Sequence, residues 1–153
     1  MESEVKVIPE QKLAVINCKT PITDLEIFLS MLMGWVDAEE IETAGEPFIV
    51  YFSPRHQVNK GDAVFDVSIP IKEDANETDR IRVVDMISNK VLSGIHYGSA
   101  DSIMETYEKL VDIAQENHYD IIGSPKEVLI KNVHNCDDEK EYITEIQLPI
   151  IEM

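Results

Sequence analysis

GSPKEVLI at residues 123–130 and TEIQLPI at residues 144–150 repeat an earlier pair in the same chain, GEPFIVYF at 45–52 and FDVSIPI at 65–71. Gly45 and Gly123 are 78 positions apart, Pro47 and Pro125 also 78, and Pro70 and Pro149 are 79 apart. Landmarks that keep one offset mark a chain built from a single unit used twice. The copies part at Ile49, whose counterpart is Glu127. A carboxylate stands on a strand position that its twin fills with an apolar side chain.

The 153 residues make one ordinary domain, enough to bury roughly two-thirds of the surface that the unfolded chain exposes. A hydrophobic content of 44% excludes wholesale disorder, and no apolar run reaches the length of a membrane span. The N-terminal MESEVKV has neither the basic start nor the apolar core of a signal peptide, so the expected localisation is cytoplasmic. Cys18 and Cys136 lack metal-ligand spacing and a supporting His cluster; they are expected to be reduced, without a role, and no metal site is expected. Thirty acidic against 13 basic residues give a net charge of −17, which repels nucleic acid phosphates and anionic membranes. The same acidity is either a solvated surface or an attractor of cationic ligands.

The unit is strand, helix, strand, strand. Residues 5–8 with 13–17, and 81–87 with 90–95, read as extended segments around the turns PEQK and SN, so each repeat opens with a broken or bulged strand. A first helix is expected over about 24–41, with Thr23 or Asp24 as its cap. Its apolar stripe (Leu25, Phe28, Leu29, Leu32, Trp35, Val36) is widened by Ile27, Met31 and Met33, so it is expected to be covered on more than one side or to line a cavity. A second, over 102–118, carries Ile103, Met104, Tyr107, Leu110, Val111 and Ala114 on one stripe, and Ser102 and Glu105 have capping-box spacing. Strand pairs follow at 47–52 with 64–71 and at 127–133 with 142–150, each a hairpin, and the polar residues 72–79 link the copies. The expected fold is therefore α+β and a single domain, with internal repeats at about 3–71 and 81–151.

Strand side chains alternate faces. Val128 and Ile130 oppose Glu127 and Leu129, and Ile146 and Leu148 oppose Glu145 and Gln147. If the apolar pairs pack on the helix, Glu127 and Glu145 share the other face, joined in the first copy by Ile49, Tyr51, Asp66 and Ser68. A buried carboxylate without a partner costs several kcal/mol, roughly, and so points to function rather than stability. On a face open to water the same two residues are ordinary solvated positions.

The twofold repeat, the strand GSPKEV and above all the closing TEIQLPI resemble the GyrI-like family of small-molecule-binding domains, which also forms the effector-binding half of AraC-type and multidrug-sensing MerR-type transcription regulators. The resemblance spans nearly the whole chain. It implies two strand-helix-strand-strand modules related by pseudo-twofold symmetry, helices on one side of antiparallel sheets, and a ligand groove between the repeats faced by Glu127 and Glu145. In regulators of this type acidic groups meet the charge of lipophilic cations while aromatic side chains stack on their rings. This chain departs from the family pattern at Leu129, where an aromatic residue is frequent, and at His96–Ser99, where many members read Gly-Pro-Tyr. Since no helix-turn-helix precedes the domain, it is expected to be a stand-alone ligand-binding module.

Other residues keep two readings each. Trp35 either packs in the core or caps the groove; Tyr51 is assigned to the groove wall with Ile49. Tyr107 needs a hydroxyl partner when buried, either Glu127 or Glu145. His96 and Tyr97 end a strand beside Gly98, where side chains reach a cleft or serve structure. No phosphate loop, dinucleotide fingerprint or nucleophile elbow is present, and no cofactor is expected. The leading function is capture of a hydrophobic, cationic small molecule by Glu127, Glu145, Trp35, Tyr51, Tyr107, Tyr97 and Ile49, for sensing or sequestration. An alternative, implied by the resemblance to stand-alone family members, is hydrolysis of reactive cyclopropane-bearing natural products, with Glu127 or Glu145 as general base and Tyr107 as proton donor. A third is inhibition of a DNA-handling protein through the acidic surface. Monomer and dimer are both compatible with the sequence.

Overall fold

The computed structural model describes residues 2–132 and 135–152; the expected strand end at Val133, and His134, lie outside them. The chain divides into two compact units, Pro9–Ile87 and a second made of Ser88–Met153 together with Met1–Ile8. No helix among the described residues is long and apolar enough to cross a membrane.

The 9–87 unit contains β2 (Gln11–Pro21), α1 (Leu25–Ala38), β3 (Phe48–Tyr51), β4 (Asp62–Ile71) and β5 (Arg82–Met86), following β1 (Ser3–Ile8) of the other unit. Its strands lie in the order β3-β4-β2-β5, all antiparallel. Residues directly opposite in an antiparallel pair share a face, so Ile49 and Tyr51, opposite Val67 and Phe65, belong with Ile16 and Cys18. Ile16, Ile49, Phe65 and Val67 are fully buried, and α1 covers this face with Leu29, Leu32 and Val36. Ile27 and Met31 stay exposed, so the wide apolar stripe of α1 is only partly covered.

The 88–153 unit contains β6 (Asn89–Tyr97), α2 (Ile103–Glu116), β7 (Tyr119–Ile121), β8 (Lys126–Lys131) and β9 (Ile143–Glu152). Its order is β1-β6-β9-β8, with β7 paired to the last residues of β9. Leu92, Ile146, Leu148 and Ile150 pack under Ile103, Tyr107, Leu110 and Ala114 of α2, and Val5 of β1 joins them. The strands expected to be broken or bulged are thus separate strands. After each turn the chain enters a different ladder, β1 pairing with β6 and β5 with β2. Alternation within a strand carries no information about its partner, which is a long-range choice.

The helix caps also differ from expectation. The chain enters both helices through 3-10 turns, Ile22–Asp24 and Ala100–Ser102. Asp24 (φ −85°, ψ −2°) and Ser102 (φ −105°, ψ 6°) therefore lack the extended backbone a capping side chain requires, and neither makes a cap hydrogen bond. Asp24 instead accepts from the Thr20 hydroxyl at 2.5 Å.

The repeated Gly and Pro landmarks explain one another. In the 9–87 unit Ala44 N–H donates to the Pro70 carbonyl at 2.8 Å; in the other, Ile122 N–H donates to that of Pro149 at 2.9 Å. A Cβ on Gly45 would lie 3.3 Å from Pro70 Cγ, and one on Gly123 3.4 Å from Pro149 Cγ. Each glycine lets the loop lie against a proline ring. Gly45→Val should lower the free energy of unfolding by about 1–3 kcal/mol through overpacking. Gly34→Ala, mid-helix with nothing within 4 Å of the new methyl, should raise it by roughly 0.5–1 kcal/mol. Denaturant titration checks both signs.

Candidate functional site

The β8/β9 ladder decides where the acidic residues point. Glu127 lies opposite Ile146 and Val128 opposite Glu145. Since Ile146 packs under α2, Glu127 faces the helix and Glu145 the other side of the sheet. The expectation that both carboxylates share a face is corrected here. Alternation is obeyed in each strand, but the apolar set of β8 that meets the helix is not Val128 with Ile130.

Glu127 is 4% exposed, and its carboxylate Oε2 accepts the Tyr107 hydroxyl at 2.5 Å. Of the two partners open to Tyr107, the fold selects Glu127. α2 aims the ring: Tyr107 sits one turn before Leu110 on the buried stripe, so its body fills the core while its hydroxyl reaches the strand. On the same face His96 bonds to the Thr106 hydroxyl through Nδ1 and to the Ser99 carbonyl through Nε2, both at 2.8 Å. That binds the end of β6 to the start of α2, a structural role.

Glu145, 8% exposed, is surrounded by donors on its own face. Lys6 Nζ lies 2.6 Å from Oε2, Ser93 Oγ donates at 2.7 Å and Gln147 Nε2 at 3.1 Å. Burial pushes its pKa up, but the bonds from Lys6, Ser93 and Gln147 outweigh it and hold the carboxyl below the usual range. Lys126, opposite Gln147, is also buried on this face. Burial pushes its ammonium down to about 8, against the opposing pull of Glu145. Sequence reading missed Lys126, Lys6, Ser93 and Gln147 as a group. The available signal was a lysine inside a strand, one position from Glu127 and hence on the opposite face.

Ile49 and Tyr51 face α1 rather than Asp66 and Ser68, which correct their expected face. Tyr51 packs against Phe65 with the rings tilted (centroids 6.4 Å apart) and carries the Arg55 guanidinium 4.5 Å above its ring. Trp35 is half-buried on α1. Tyr97 is 60% exposed at the end of β6 and donates to the Glu2 carboxylate at 3.3 Å. Cys18 is buried, and burial pushes its thiol up to about 11, an unreactive state. Asp66 and Ser68 line a cleft with Leu13, Val15, Phe48 and Val50.

The Lys126 shift has a pH consequence. Its folded pKa of about 8 lies below its ordinary 10.5, so the unfolded chain binds more protons between those values and the group's contribution to stability rises with pH across the window. The unfolding free energy of the parent minus that of Lys126→Met should climb from about pH 8 to 10.5 and stay level outside it; a flat difference throughout would show that the lysine titrates normally.

A family model for the GyrI-like small molecule binding domain matches residues 1–151. No curated protein matches the chain significantly. Among solved structures, the C-terminal domain of EcmrR is 19% identical with a TM-score of 0.88, covering 99% of this chain and 98% of that one. In the EcmrR–DNA complex the chain spans 58% of the matched protein's length. A hydrolase from Listeria innocua is 10% identical (TM-score 0.71; 98% and 92% covered). SAV2435 bound to tetraphenylphosphonium is 13% identical (TM-score 0.64; 99% and 94% covered). The solved structures share the fold, and the family match over nearly the whole chain establishes that this protein belongs to the GyrI-like small-molecule-binding domains.

Proposed function

We propose that the protein captures a hydrophobic cation for sensing or sequestration, with Glu127 as the charged anchor. The observation that carries this reading is a carboxylate 4% exposed on the helix-covered face of a sheet, oriented by a tyrosine hydroxyl at 2.5 Å. The equivalent position of the other repeat is Ile49, so the glutamate is particular to this unit. A desolvated carboxylate pairs strongly with a cation and Tyr107 adds an aromatic face. A neighbour of the same fold solved with tetraphenylphosphonium supports the ligand class. Glu145 is assigned to structure, because Lys6, Ser93 and Gln147 already hold it.

The Tyr107–Glu127 bond also suits a second reading, hydrolysis of an electrophilic cyclopropane. Glu127 would take a proton from water as its oxygen bonds to a ring carbon. The ring C–C bond would open toward a conjugated carbonyl, and Tyr107 would protonate that oxygen. Mass spectrometry of such a substrate after incubation separates the readings. A product one water heavier, formed by the parent and lost in Tyr107→Phe, establishes turnover.

Calorimetric titration with tetraphenylphosphonium tests capture. Glu127→Gln should weaken binding at this site by about tenfold to a hundredfold, the range of a lost charge-assisted contact. Glu145→Gln should bind like the parent but unfold at lower denaturant. Equal affinity of parent and Glu127→Gln would remove Glu127 from the site.

A further inference from the structure

The internal repeat provides a control for a second carboxylate. Asp66 is the counterpart of Glu145, 79 positions earlier, and the ladders place it equivalently: Asp66 lies opposite Val50 and Asn17, Glu145 opposite Val128 and Ile95. The lysines and the serine hydroxyl around Glu145 have no polar equivalents around Asp66; of the donors to Glu145, Gln147 keeps a polar counterpart, Ser68. Seventy-eight positions relate Lys6 to Val84, Ser93 to Val15 and Lys126 to Phe48, and register supports the first pairing, with Lys6 opposite Val91 and Val84 opposite Leu13. Where one unit has two lysines and a hydroxyl, the other has Val84, Phe48 and Val15. Asp66 accepts a hydrogen bond from the Asn17 side-chain amide, and among the described residues no cation forms a salt bridge with it. Burial pushes this carboxyl above the usual range, against the lowering effect of the Asn17 bond.

The space vacated is open. On the face of the 9–87 sheet away from α1, Asp66 and these three apolar residues line a cleft of about 620 Å³, within the size range of small-molecule sites. Val84 is 42% exposed there and Phe52 52%, whereas a sheet face meant for water carries polar residues. Other charges lining the cleft are engaged or outnumbered. Glu77 accepts the Val83 N–H at 3.0 Å, Asp85 pairs with Lys12 at 2.9 Å, and Arg82 is the cation among the lining residues.

We infer that this cleft is a second ligand site, selective for amphipathic organic cations whose ammonium pairs with Asp66 and whose apolar body lies on Val84 and Phe52 over the buried Phe48 and Val15. The ligand supplies from outside the charge that Lys6 and Lys126 supply from within the other unit. Glu127 is not among the residues lining this cleft, and the inference stands or falls independently of the function assigned to it.

Decyltrimethylammonium, with decyl sulfate as the charge-reversed control, is titrated into isotopically labelled protein while backbone amide shifts are followed. Saturable shifts on β2 to β5 around Asp66, given by the cation and not by decyl sulfate, are expected. Asp66→Asn should weaken that event by about tenfold or more. Val84→Lys, which installs the counterpart of Lys6 at a half-exposed edge position, should abolish it while circular dichroism and melting stay close to the parent. In Glu127→Gln the event should persist unchanged, so failure at the two sites is distinguishable. Preference for decyl sulfate, shifts confined to other residues, or equal binding by Asp66→Asn would overturn the inference.

Discussion

The organising constraint of this protein is the pairing of β8 with β9. Antiparallel rungs alternate faces with a period of two, so one register assigns every side chain of both strands to a side. With Glu127 opposite Ile146, the glutamate enters the layer beneath α2 and meets Tyr107. With Val128 opposite Glu145, the second glutamate joins Lys6, Ser93 and Gln147 on the far side. A slip of β8 by one residue would turn Val128 under the helix and bring Glu127 to the face that Glu145 occupies. The irregularity in this ladder falls between Leu129 and Lys131, beyond the rungs that position either carboxylate.

Two acidic residues on adjacent strands thereby acquire different chemistry. Glu145 rests on a local charge balance in which the Lys6 ammonium, itself over a third exposed, is screened by water on one side. Its hydrogen bonds to Ser93 and Gln147 are the part protected from solvent. Glu127 accepts the Tyr107 hydroxyl on the face that α2 covers. Environment, rather than residue type, sets the chemistry of each carboxylate.

Duplication sets up a scaffold on which the same positions diverge. The contacts that define the fold recur in both units, as with the Gly45–Pro70 and Gly123–Pro149 packing and the backbone bonds from Ala44 and Ile122. Those contacts are local to the hairpin ends and leave the sheet faces free to change. The unit of Asp66 carries apolar side chains where the other carries cations, and the unit of Glu127 carries a carboxylate where its twin has Ile49.

The sequence by itself determined the repeat, the two amphipathic helices, the four strands that follow them and the family, because periodicity and the spacing of Gly and Pro are written along the chain. It also marked Glu127 as out of place by comparison with Ile49. The short β7 escaped, three residues being too few for alternation to show, and the caps escaped because 3-10 turns precede both helices. Tertiary structure alone decided that β1 and β5 enter ladders other than those of their neighbours in sequence, that Glu127 and Glu145 point apart, and that lysines gather at one carboxylate and not at its twin. Each of these depends on which strands lie side by side and in what phase. That is set by the summed burial of distant residues, which no single strand's pattern contains.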